Sequence, residues 1–272
     1  MRIPFVKAHG DGNDFLLTWV QEAPREALAE AARALCHRHA GVGADGWILV
    51  TPAERVEDGA VAAIRLFNAD GSEAELSGNG TRCAAAFLLD SGLAAETMRI
   101  ETGAGVKSLR LLERSGLRFR FQMNMGRPRC GEDQIRFPLP LESGVREVTI
   151  LDVGNPQCAV FVDDFSLDWR RLGAEIEGHP HFPRRTNVSF VRVVDEHSLE
   201  ARFYERGAGE TLSSGTGSTG AAVAAMLRGR VRSPVRVLTP AGGLDLEWNG
   251  EVRLAGPAEI VAGGEFYFEH GE

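Results

Sequence analysis

Two stretches of the chain carry one set of reactive and anion-binding groups. Phe67-Asn-Ala-Asp-Gly-Ser-Glu-Ala-Glu-Leu-Ser77-Gly-Asn-Gly80 aligns without a gap to Tyr204-Glu-Arg-Gly-Ala-Gly-Glu-Thr-Leu-Ser-Ser214-Gly-Thr-Gly217. An aromatic residue opens each stretch, and a glutamate, Glu73 or Glu210, precedes a Ser-Gly-x-Gly loop. Both then run into small apolar residues, Cys83-Ala-Ala-Ala-Phe-Leu-Leu and Ala221-Ala-Val-Ala-Ala-Met-Leu. A glycine-rich loop feeding a helix presents free backbone N–H groups and the positive end of the helix dipole. Such ends bind carboxylates and stabilise an oxyanion that develops during a reaction. Two facing loops would hold one small anion from two sides, with Ser77 and Ser214 flanking it. An acid and a base on opposite faces of one carbon suit proton removal on one side and return on the other. Serine before a helix is also a common N-cap, and one loop alone would be read that way. The matched pair reverses that preference. Glu73 and Glu210 rank no higher than loop-ordering hydrogen-bond partners.

The elements that position these loops repeat as well. Gly12-Asn13-Asp14-Phe15 echoes Gly154-Asn155-Pro156-Gln157 at nearly the same offset, about half the chain. The two matches predict an α/β chain of two similar domains, 1–126 and 127–272, with the last strand expected to pack back onto the first. Val61 to Phe67 and Leu199 to Tyr204 are β-type runs that end at a turn. Arg82 to Asp90 and Ser218 to Arg228 are apolar on nearly all sides, the mark of a buried helix, and Gly92 and Gly229 stop them. Further β-type runs are Trp47 to Thr51, Leu117 to Met123, Val148 to Val153, Asn187 to Val194 and Leu244 to Trp248. Amphipathic helices from Pro24 to His39 and around Asp168 to Glu177 lie outside. The join falls near Gly126 to Glu142, which carries three prolines and little periodicity.

Composition narrows the chemistry. The 272 residues are 43% hydrophobic and 25% charged, the balance of a soluble globular protein. A net charge of -8 without a basic patch argues against a nucleic-acid partner. No apolar run reaches the ~20 residues of a membrane span, and the start has no signal-peptide core, so the expected location is the cytoplasm. A pyridoxal phosphate enzyme needs a Schiff-base lysine. The lysines of this chain, Lys7 and Lys107, lie outside the serine loops, which favours a mechanism without a cofactor. Cys36, Cys83, Cys130 and Cys158 have no paired spacing and read as free thiols. His37-x-His39 and His179-x-His181 lack a third ligand nearby and read as surface or capping residues, so no metal site is expected. Gly41-Val-Gly-Ala-Asp-Gly46 matches the dinucleotide fingerprint but follows a helix and enters a strand, the reverse of the required order.

Together these residues resemble the diaminopimelate epimerase family nearly end to end. The match runs through His9-Gly-Asp-Gly-Asn-Asp-Phe15, Arg38-His-Ala-Gly-Val-Gly-Ala-Asp-Gly46 and Phe67-Asn-Ala-Asp-Gly-Ser-Glu73. It continues through Gly78-Asn-Gly-Thr-Arg-Cys83, Gly154-Asn-Pro156, Thr186-Asn-Val188 and Glu205-Arg-Gly-Ala-Gly-Glu-Thr211. The resemblance implies two similar α/β domains, each a barrel-like mixed sheet around a central helix, with the site in the interdomain cleft. It implies interconversion of LL- and meso-2,6-diaminopimelate on the way to lysine and peptidoglycan, and a homodimer. By motif, Asn13, Asn68, Asn155 and Asn187 would hold the polar ends of this amino diacid. Arg206 would take the distal carboxylate, and Glu205 would lie near the amino group or a catalytic residue. The amides of Gly78, Asn79, Gly215 and Thr216 would receive the carboxylate at the reacting centre.

The departures from the family fall on the chemistry. Ser77 and Ser214 stand where the family has a thiolate and a thiol, and Gln157 stands where it has a histidine. A thiol near pKa ~8.5 is readily ionised at a helix N-terminus, whereas a hydroxyl starts much higher. Cys83 and Cys158 read as packing residues. Two alternatives stay open: a same-fold isomerase or dehydratase acting on another small carboxylate, and an amino-acid-binding relative without turnover.

Overall fold

The computed structural model describes residues 1–52 and 60–269. The chain divides into two compact units, Met1–Met123 with Gly256–Glu272, and Asn124–Ala255. In the first, strand β1 (Arg2–Gly10) turns into the antiparallel β2 (Asn13–Trp19). Helix α1 (Leu28–Cys36) then leads to β3 (Gly46–Pro52), parallel to β2. β4 (Ala62–Asn68) returns antiparallel to β3 and pairs at its end with the two-residue β5 (Glu73–Ala74). Helix α2 (Gly78–Asp90) crosses to β6 (Thr97–Thr102), parallel to β4. β7 (Gly105–Ser115) and β8 (Arg118–Gly126) continue antiparallel.

The second unit repeats this order. β9 (Phe137–Leu141) pairs with β10 (Gly144–Asp152), which turns into β11 (Pro156–Phe161). Helix α3 (Trp169–Glu177) leads to β12 (Asn187–Asp195), parallel to β11. β13 (Ser198–Glu205) returns antiparallel and carries the short β14 (Gly209–Thr211). Helix α4 (Gly215–Leu227) crosses to β15 (Val235–Thr239), parallel to β13, followed by β16 (Gly242–Asn249) and β17 (Glu251–Tyr267). The far part of β17 belongs to the first unit, where it pairs with β1 and β8. Those pairings close β1, β2, β3, β4, β6, β7, β8 and β17 into an eight-stranded barrel.

Each barrel-like sheet is filled by its own helix. α2 packs against β1, β2, β3, β4 and β6, and α4 against β10 to β13, β15 and β16. Ala84, Ala85, Ala86 and Leu88 on α2, and Ala221 to Ala225 on α4, are fully buried. Small side chains all round are what a helix needs to fit inside a closed sheet, since bulk on any side would meet a strand.

The structure moves several boundaries. α2 and α4 begin one turn before the sequence placed them, at Gly78 and Gly215, because the serines cap the Gly-x-Gly segments into helix despite glycine's low propensity. α1 is shorter than Pro24 to His39, starting only after Ala27, whose φ is +58°. The stretch expected as a bare join contains β9, whose Pro138 and Pro140 hid it. Prolines at alternate residues put both missing N–H groups on one side of the strand, which a sheet edge tolerates. Gly41 to Asp45 is a helix-to-strand turn: Val42 and Gly43 both donate to the Leu35 carbonyl, at 2.9 and 3.0 Å. A Cβ on Gly41 would lie 2.1 Å from the Ala34 carbonyl oxygen. Packing against the end of α1 therefore demands this glycine. Gly41→Ala is expected to cost ~3 kcal/mol in urea unfolding, against a typical ~1 kcal/mol for a point change.

Candidate functional site

The two serines occupy one local geometry. Ser77 and Ser214 are extended (φ −128° and −142°), and each Oγ accepts the N–H three residues on, from Gly80 or Gly217, at 3.0 Å. The next amides, of Thr81 and Ser218, donate to the serine carbonyls at 2.8 and 2.9 Å. That leaves the amides of Gly78 and Asn79, and of Gly215 and Thr216, with no acceptor inside their helices. All four residues are buried. The serine thus satisfies the third amide with its side chain and the fourth with its carbonyl, and leaves the first two without an acceptor in the helix. Close packing fixes the glycines, since a Cβ on Gly217 would meet Phe203 Cδ1 at 2.7 Å and Ser214 Oγ at 2.9 Å.

Beyond this scaffold the serines differ. Ser214 is buried and donates its hydroxyl to Glu205 Oε1 at 2.5 Å. At the matching end of β4 stands Asn68, whose Nδ2 donates to Ser72 Oγ at 2.9 Å. Glu73 and Glu210 reach neither serine. They form bidentate pairs with Arg65 (3.0 and 3.0 Å) and Arg170 (2.5 and 2.8 Å), which tie β5 and β14 to their neighbours.

In the first unit, Asn13 donates to Asp45 Oδ2 at 2.7 Å and accepts from Asn79 Nδ2 at 3.1 Å. Asn79 Oδ1 in turn accepts from Arg82 Nη2 at 2.6 Å. Beside them Asp14 receives Arg38 at 2.8 Å and Lys7 at 3.0 Å. Burial alone would raise the Asp14 carboxyl, but the hydrogen bonds from Arg38 and Lys7 outweigh it and hold the group below the ordinary carboxylate range.

In the second unit, Gln157 Nε2 donates to Asn155 Oδ1 at 2.7 Å, and Asn155 Nδ2 points to Thr216 Oγ1 at 3.4 Å. Asn187 donates to the Pro156 carbonyl at 3.0 Å and accepts the Arg206 amide at 3.0 Å, so it ties two motif segments together. The Arg206 guanidinium is exposed, donates to the Arg184 carbonyl at 3.3 Å, and meets no carboxylate among the described residues. Cys83 and Cys158 are fully buried, and burial pushes both thiols up, Cys83 to about 12. Neither is poised as a nucleophile. Sequence reasoning missed Arg82 and Asp45. Both lie inside quoted motifs, and a charge within an otherwise apolar helix was the signal for Arg82.

The family model described as diaminopimelate epimerase matches residues 5–130 and 149–261. A diaminopimelate epimerase of Pelotomaculum thermopropionicum is 40% identical over 280 residues, covering 96% of this chain and 98% of that protein. Another from Moorella thermoacetica is 40% identical over 279 residues, with the same 96% and 98% coverage. Among solved structures, a hydroxyproline epimerase of Agrobacterium vitis has a TM-score of 0.72 at 18% identity, covering 97% of this chain and 92% of that one.

The Asp14 cluster gives a pH test. A carboxyl held low in the fold stabilises in full above its unfolded value of ~3.9, and the contribution is lost as pH falls through the folded value. Asp14→Asn is expected to lower urea stability by ~2 kcal/mol at pH 7, with the deficit shrinking below pH ~4.

Proposed function

The chain belongs to the diaminopimelate epimerase family, and on that premise we propose that it interconverts LL- and meso-2,6-diaminopimelate by moving the α-proton without a cofactor. The observation that carries the reading is the pair of serine-capped helix ends, each offering two buried amides beside a hydroxyl. On this reading the amides of Gly78, Asn79, Gly215 and Thr216 hold the carboxylate at the reacting carbon. They also stabilise the negative charge that builds on it as the α-proton leaves. Asn13, Asn68 and Asn155 orient the polar ends, and Asn187 acts by holding Pro156 and Arg206. Arg206 takes the distal carboxylate, for which its guanidinium can supply two parallel N–H donors.

A lone serine hydroxyl is too weak a base to remove this proton at neutral pH. Glu205 changes that balance on one side. The Ser214 oxygen takes the α-proton while its own proton passes to Glu205, across the 2.5 Å hydrogen bond already present. Ser77 delivers its hydroxyl proton to the opposite face of the carbon. Solvent then returns a proton to Ser77 and removes one from Glu205. Because the position matching Glu205 carries Asn68, which donates to Ser72 and cannot take a proton, abstraction is faster from the isomer that turns its α-hydrogen toward Ser214. The enzyme on this reading acts as a cytoplasmic homodimer at a step toward lysine and peptidoglycan. Among the described residues no helix is long and apolar enough to cross a membrane.

Proton NMR of LL- and meso-diaminopimelate in D₂O tests the proposal, comparing the protein with a Ser77→Cys/Ser214→Cys variant. The expected result is loss of the Cα–H signal with interconversion in the unmodified protein, and faster loss in the double-cysteine variant. Exchange confined to the cysteine variant would overturn turnover by the serines. No exchange in either would overturn the epimerase reading.

A further inference from the structure

Arg82 lies one turn into α2 and is fully buried. Burial pushes its pKa down, yet an arginine keeps its charge in proteins. Its Nε donates to the Pro257 carbonyl at 3.1 Å and its Nη2 to Asn79 Oδ1 at 2.6 Å, while Nη1 has no hydrogen-bond partner among the described residues. From Asn79 the hydrogen bonds continue in one direction. Asn79 Nδ2 donates to Asn13 Oδ1, and Asn13 Nδ2 donates to Asp45 Oδ2. Asp45 is held in turn by Arg38 at 2.7 Å through its other oxygen.

The two ends of this chain decide the orientation of everything between. Guanidinium has no acceptor and carboxylate has no donor. Turning over either amide would set N–H against N–H at one end or oxygen against oxygen at the other. Both amide oxygens therefore face back along the chain, and the hydrogen left on each NH₂ group is a donor. The second unit lacks this device. There the matching pair is Asn155 and Thr216, with the hydrogen bond running the other way and a neutral Gln157 at its head.

We propose that Arg82 is a positioning residue which, through Asn79 and Asn13, presents two amide N–H donors beside the Ser77 loop, selecting a carboxylate there over an ammonium or amide group. This rests on the epimerase reading only for the identity of the carboxylate.

Asn79→Asp tests it with almost no change of volume. The new carboxylate accepts from Arg82 more strongly but cannot donate to Asn13. Expected are an unchanged or raised Tm, a KM for meso-diaminopimelate raised tenfold or more, and a smaller change in kcat. A residue that only packed would leave KM alone, so a KM within twofold of the unmodified protein overturns the proposal. Asn79→Ala, which removes both links of the relay, is expected to raise KM similarly and serves if Asn79→Asp fails to fold. The relay is also read without substrate, by hydrogen exchange of the Asn13 side-chain amide, whose protection should fall in Asn79→Asp. Unchanged protection would equally overturn the relay. Protection lost as expected, in a protein that does not bind diaminopimelate, would count against the epimerase reading and not against the relay.

Discussion

A helix enclosed by a sheet cannot end its N-terminal N–H groups on bulk water. Every one of those donors needs a partner, because an unsatisfied buried donor costs ~1–3 kcal/mol. In α2 and α4 the capping serine satisfies the third amide and its carbonyl satisfies the fourth. The first two remain, buried and aimed where the loop arrives. This shortfall is the property from which the function follows. Among the described residues the fold leaves a pair of donors at each helix end without a partner in the helix, and on the proposed reading an anion completes it at the moment of binding.

Duplicated scaffolds need not carry duplicated chemistry. The serines share backbone, cap and glycine spacing, but Ser214 donates to a carboxylate, Glu205, whereas the matching position in the first unit carries Asn68, which donates to Ser72. The matching pairs, Asn13 with Asn79 and Asn155 with Thr216, are likewise oriented in opposite senses, by Arg82 in one unit and by Gln157 in the other. Such differences lie in side chains at the ends of β4 and β13, at the start of β11 and in the first turns of the helices, where a substitution changes charge or hydrogen bonding without removing a strand. Gln157 illustrates it: buried, packed against Gly220, and able to orient Asn155 without carrying charge.

Much of this was legible in the chain. Short β-type runs ending at turns marked the strands, and the apolar helices bounded by Gly92 and Gly229 marked the two central elements. Their left-handed glycines end the helices as read (φ +72° and +66°). The helix starts were not legible, because Gly-x-Gly disfavours helix until a serine cap and an enclosing sheet override propensity. β9 was hidden by its prolines. The relay from Arg82 to Asp45 joins positions far apart in sequence and could be seen only once the start of β2, the turn before β3 and α2 were brought together. Glu205 was assigned by motif to the amino group or a catalytic residue, and its contact with Ser214 needed the side-chain geometry.

The central claim is that the free amides at the two helix ends receive the substrate carboxylate. The most direct test is a two-dimensional ¹H–¹⁵N NMR titration with meso-diaminopimelate, following the backbone amides of Gly78, Asn79, Gly215 and Thr216. The account requires all four to shift downfield and to saturate on one binding curve. Saturable binding that left either pair unmoved would contradict it.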